Sequence, residues 1–104
     1  MAILERRIQL KVRNEQQYNE WEGKWAALEA RLGGFPPKRH YYLISGSEAS
    51  GTIVWERDWA SFSAMEAAYD RMFQDGEAEH LGATASDLIE SERIEYYFTH
   101  DGPA

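Results

Sequence analysis

The sequence predicts an α+β fold, with a four-stranded antiparallel sheet carrying two helices on one face. Three observations lead there. Four stretches alternate side to side with the period of a strand, two longer ones repeat apolar residues every three or four positions, and they follow one another as β-α-β-β-α-β. Two right-handed crossovers around a central hairpin bring the strands into one sheet, with the first and third in the middle. The 104 residues suit a single domain spanning residues 1–104, with core enough to need no cross-links.

The first strand is Ile3–Val12. Leu4, Ile8, Leu10 and Val12 share one side, interrupted by Arg6, while Glu5, Arg7, Gln9 and Lys11 share the other. That charged side faces either solvent or a polar interior made by pairing two sheets. Asn14 then caps a helix, with Gln17 three residues on. Tyr18, Trp21, Trp25, Leu28 and Leu32 form its apolar stripe, and the charged residues, Glu22 and Glu29 among them, fall mostly elsewhere. Gly23 weakens this helix or admits a close neighbour. Gly33-Gly34 ends it, and Pro36-Pro37 prevents its resumption.

Lys38–Ser45 is the second strand. The glycine-bracketed turn 46–51 joins it as a hairpin to the third, Thr52–Trp59. Ile53, Trp55, Arg57 and Trp59 lie on one side of that central strand; Thr52, Val54, Glu56 and Asp58 lie on the other. The second helix starts at Ser61 or Ser63, the latter in a capping-box pattern with Glu66. Its apolar stripe is Phe62, Met65, Tyr69, Met72 and Phe73, and Asp75-Gly76 breaks it. Residues 77–89 hold a second short helix. Arg93–His100 is the last strand, and Asp101–Ala104 a tail.

Composition excludes several classes of function. There is no cysteine, hence no disulfide or thiol chemistry, which fits a cytoplasmic protein. The N-terminus, MAILERRIQL, lacks the pattern of a signal peptide, and no window approaches the ~20 apolar residues of a membrane span. A net charge of −7 repels phosphate backbones, so nucleic acid is not an expected partner. Four Trp, six Tyr and four Phe can fill a core, line a pocket or cover an oligomer interface. Whichever side of the sheet the helices leave bare carries large aromatics beside charges of both signs. Such a surface complements itself across a two-fold axis, so the expected partner is a second copy.

Chemistry is faint in the sequence. His40, His80 and His100 are too far apart for a metal motif, and the glycines form no phosphate loop, so no metal or cofactor is expected. Glu56 and Asp58 share a strand face, where ion pairing is the expected use. A pocket for a small apolar molecule would be lined by Trp25, Trp55, Tyr69, Met72 and Phe73, with Arg57 or His80 as its polar contact. The competing reading of His80 is an exposed helix-end residue, and of His40 a hydrogen-bonded structural one. Trp55, at mid-strand, is expected to matter more for stability than Trp59.

The topology, the length, and a strand that runs from Trp55 through Trp59 into the Ser-rich helix start ending at Glu66 resemble the dimeric α/β-barrel superfamily. That superfamily includes antibiotic-biosynthesis-type monooxygenases, haem-degrading monooxygenases, stress-responsive barrels and NIPSNAP-like proteins. The resemblance covers residues 3–100 and implies a ferredoxin-like domain that pairs into a dimeric barrel. It also implies a pocket between helices and sheet, which the cofactor-free monooxygenases use. His80 falls where the haem-degrading members place an iron ligand. Those members aid it with an Asn on the first strand and a Trp; here no Asn precedes Asn14 in strand one, and no Trp follows Ser61 in the second helix. Two functions follow as expectations: a dimer that binds or oxidises a small apolar or aromatic molecule without a cofactor, or a non-catalytic structural or interaction homodimer.

Overall fold

Eight elements follow in order: β1 (Ile3–Leu10), α1 (Glu15–Leu32), β2 (Arg39–Tyr42), β3 (Ile53–Trp59), α2 (Phe62–Phe73), α3 (Gly76–Ala83), α4 (Ala85–Leu88) and β4 (Ser91–Phe98). This computed structural model describes residues 2–100; the tail Asp101–Ala104 lies outside them. The strands form one antiparallel sheet in the order β2-β3-β1-β4, with β1 and β3 central.

Local chemistry sets the boundaries. The Asn14 side chain accepts from the Gln17 amide and opens α1. Gly33 closes it at φ 76°, in the left-handed region, with its amide donating to Glu29. Of the two candidate serines, Ser61 caps α2 by accepting from the Ala64 amide. Lys11 also sits in the left-handed region, φ 55°, so β1 ends before Val12. β2 is shorter than Lys38–Ser45 because pairing stops just past Tyr42, where Leu43 donates to Thr52 and Ile44 is left exposed. β4 starts earlier than Arg93, since Ser91 and Glu92 already pair with Leu10 and Gln9.

Register decides which side faces the helices. Glu5 stands opposite Arg57, Arg7 opposite Trp55 and Gln9 opposite Ile53. All six share a face with Ile3, Trp59 and, on β4, Glu92, Ile94, Tyr96 and Phe98. That face lies under the helices along β1 and β3, while at the β4 edge Ile94, Tyr96 and Phe98 stay about half exposed. The sequence leaves the charged side of β1 to solvent or to a second sheet; Glu5, Arg7 and Gln9 face instead the helix layer of their own chain. Apolar groups secure both ends. Ile3 and Trp59 pack on Ala68 and Phe35 at one, while Ile53 joins Tyr18, Trp21, Leu28 and Met72 at the other. The ionic residues occupy the gap between these two apolar clusters. No helix of the described residues is long and apolar enough to cross a membrane.

Candidate functional site

The buried polar gap begins at Glu5, which has no solvent exposure. Its Oε1 accepts from Arg57 Nε at 3.1 Å and from the Trp59 indole at 2.9 Å. Its Oε2 accepts from Arg7 Nε at 2.8 Å and from the Tyr69 hydroxyl at 2.6 Å. Arg57, equally enclosed, donates Nη2 to the Tyr69 oxygen at 2.6 Å and Nη1 to Glu29 Oε1 at 3.0 Å. Arg7 reaches Glu92 Oε1 at 2.9 Å, Gln9 donates to Glu92 Oε2 at 2.9 Å, and the Tyr18 hydroxyl donates to Gln9. Buried ions of this kind are tolerable only when every charge is paired.

The pairing fixes the protonation states. Burial pushes the Glu5 carboxyl up, but Arg7, the Tyr69 hydroxyl, Arg57 and the Trp59 indole outweigh it and hold it below the ordinary carboxylate value. Burial works against charge on Arg57 as well, yet Tyr69, Glu29 and Glu5 keep it above the ordinary guanidinium value. The Tyr69 hydroxyl is pushed up, chiefly by burial, and stays protonated as a donor.

Above this floor a cavity of about 290 Å³ opens between sheet and helices. α1 supplies one wall, with Trp21, Glu22, Trp25 and Glu29 on its inner side, and Met72 and Ile89 contribute from α2 and the segment before β4. Lys38 reaches across, its ammonium 4.3 Å from the Trp55 ring centre and 3.4 and 3.6 Å from Glu22 and Glu29. Among the described residues, the Trp55 indole N–H is a buried donor without a partner. Flat apolar walls over a floor of fixed donors and acceptors suit a small planar molecule with one or two polar atoms.

Trp25, Trp55, Tyr69, Met72 and Arg57 all border this cavity. Phe73 does not: it is 77% exposed and stacks on the outer side of Tyr69, with ring centres 5.9 Å apart. Its position next to Met72 turns it off the buried side of α2. His80 is exposed on α3 and does not border the cavity either. Arg7, Glu22, Glu29, Lys38 and Glu92 border it unforeseen. For Glu22 and Glu29 a signal existed, because Glu22, Trp25 and Glu29 follow one another at spacings of three and four.

The helix-free face carries Leu4, Arg6, Ile8, Val54, Glu56 and Asp58 from the central strands. Arg6 lies 2.7 Å from Glu56 and 3.6 Å from Glu95, and Arg39 2.9 Å from Asp58. Glu56 and Asp58 thus serve as ion-pair partners. Tyr41 and Tyr97 stand there, nearly half exposed, around a shallow concavity.

The sequence matches no family model and no curated protein. Among solved structures, the fold is similar to a NIPSNAP family protein from Agrobacterium tumefaciens, at 19% identity and a TM-score of 0.76, covering 97% of this chain and 95% of that one. It is also similar to an uncharacterized NIPSNAP-like domain protein from Burkholderia xenovorans, at 11% identity and a TM-score of 0.74, covering 99% and 90%. A third likeness is to SnoaB, a cofactor-independent oxygenase from Streptomyces nogalater, at 13% identity and a TM-score of 0.67, covering 97% and 94%. These likenesses show the fold: the chain has the α+β, ferredoxin-like architecture of the NIPSNAP proteins and SnoaB.

Proposed function

We propose that the cavity binds a small, planar, largely apolar molecule and that the chain oxidises it with dioxygen and no cofactor. The observation that carries this reading is the ionic floor of Arg7, Arg57, Glu5 and Tyr69 beneath indole walls. An electron-rich ring that loses a proton there becomes an anion able to pass electrons to dioxygen. Fixed guanidinium groups in a site shielded from water stabilise such charge more than solvent does. SnoaB, a cofactor-independent oxygenase on this fold, supports the oxidising half. We place the protein in the cytoplasm, from its lack of cysteine, and infer that it works as a homodimer closed through the helix-free face.

A panel of mono- and dihydroxynaphthalenes tests this in two stages. A rise in melting temperature together with quenching of tryptophan emission is the expected sign of binding, and oxygen uptake measured with an electrode is the sign of turnover. No shift with any compound sinks the ligand reading, while binding without oxygen uptake removes the oxidation. One observation favours a non-catalytic interaction dimer instead: each nitrogen of the Arg57 guanidinium already has a partner inside the chain. On that reading the network serves only to hold helices to sheet.

A further inference from the structure

Three carboxylates border the cavity, and they differ in what they have left to offer. Glu29 gives Oε1 to Arg57 and Oε2 to Lys38. Glu92 gives Oε1 to Arg7 and Oε2 to Gln9. Glu22 is different. Both of its partners, His40 Nε2 at 2.8 Å and Lys38 Nζ at 3.4 Å, sit on Oε2. Its Oε1 has no hydrogen-bond partner among the described residues. Glu22 also borders two spaces at once: the inner cavity, and an outer concavity of about 470 Å³ along the second half of α1 and residues 35–37. His40 lies in that outer space, with 43% of its side chain exposed against 11% for Glu22.

We propose that Glu22 accepts a proton from the molecule bound in the cavity, through its free Oε1, and that His40 behind it carries that proton out to solvent. The inference rests on the ligand-binding reading above and names the base it lacks. In the step, a C–H or O–H bond of the ligand breaks, its electron pair stays on the ligand, and the proton goes to Oε1. While Glu22 is ionised the His40 Nε2–H donates to its Oε2. Once Oε1 is protonated, His40 changes tautomer by giving up that hydrogen and taking one from water on Nδ1. Nε2 then accepts the proton as the carboxyl group turns, and the imidazolium so formed releases a proton to water. No oxidant takes part in this step.

The groups that face Glu22 keep it charged. They are Lys38 and His40 from β2 and the segment before it, and Tyr18 and Glu29 from α1 itself. Burial pushes the Glu22 carboxyl up, but the His40 hydrogen bond and Lys38 outweigh it and hold it below the ordinary value. It is therefore ionised at neutral pH and ready to accept. Glu22 is the catalytic residue of the proposal; His40 acts through it and is a positioning residue.

The probe is 5-nitrobenzisoxazole, a flat carbon acid whose ring opens when a base removes its one heterocyclic C–H proton. The N–O bond breaks with its electrons, a nitrile forms, and the released phenolate is followed by its visible absorbance. The expected result for the full chain is saturable turnover. Glu22→Gln lowers kcat at least tenfold with KM within twofold, and His40→Gln lowers kcat and changes the shape of the pH–rate profile. Because His40 is half exposed, its variant carries the test alone should Glu22→Gln not fold. Saturable turnover that survives both substitutions, or that is lost in Lys38→Gln instead, overturns the assignment and leaves the binding reading standing. No saturation and no quenching of tryptophan emission by the probe overturns both.

Discussion

Trp55 and Trp59 stand two residues apart on the same side of β3, yet their surroundings differ. Trp59 is 1% exposed, its indole donates to Glu5, and its ring contacts Phe35 and Tyr69 at 5.7 Å. Trp55 has the cavity beside it and an unpaired N–H. Trp59→Ala is therefore expected to cost about 3–5 kcal/mol and Trp55→Ala less, measured by urea unfolding. Mid-strand position alone suggests the opposite order; what matters is the packing around each ring. Glu5 sets a pH dependence. Its carboxyl lies below the ordinary 4.5 in the fold, so the stability it contributes is complete above pH 4.5 and is lost as pH falls through the folded value. Glu5→Gln should lose about 3–5 kcal/mol at neutral pH, because it leaves buried guanidinium groups short of a counter-charge. Its unfolding midpoint should also fall less steeply below pH 4.5 than the parent's; an equal slope would show that other carboxylates carry the effect.

The elements themselves were legible in the sequence because caps and periodicity are local. Asn14, Ser61 and Gly33 mark their helix ends through their own side chains or backbone, and the alternation in Ile3–Leu10 is plain. The inward face of β1 was not legible. Period two says which residues travel together, and it leaves open which set goes in. Glu5, Arg7 and Gln9 go in only because Arg57, Tyr69 and Glu92 arrive from distant segments to pair with them. The same holds for the cavity, where the aromatic stripes announced Trp25, Tyr69 and Met72 while Lys38 and Glu92 carried no local sign. Gly23 tests the element scale directly. A Cβ there meets nothing within 4 Å, so no close neighbour requires the glycine. Gly23→Ala should stabilise the protein by up to ~1 kcal/mol, read as a raised melting temperature; a lowered one would point to a neighbour outside this chain.

At the scale of the molecule, the helix-free face is where the proposed pairing is tested. Arg6, Arg39, Glu56 and Glu95 alternate in sign around half-exposed Tyr41 and Tyr97. A second copy turned through a two-fold axis can answer each of them. Light scattering at micromolar concentration should give twice the 12.0 kDa chain mass, and Arg6→Glu should shift the population toward monomer. A chain that scatters as a monomer would refute the homodimer.

The split core has a calorimetric signature. Where most domains of this size set oil between sheet and helices, this one sets ions between two apolar clusters, of nine and of three buried residues. Water that returns to apolar surface raises the heat capacity, and water that returns to polar surface lowers it. The heat-capacity step on melting should accordingly fall below the usual ~12–15 cal/mol/K per residue. The stability curve would then be unusually flat, with much the same margin against unfolding in the cold as in the warm.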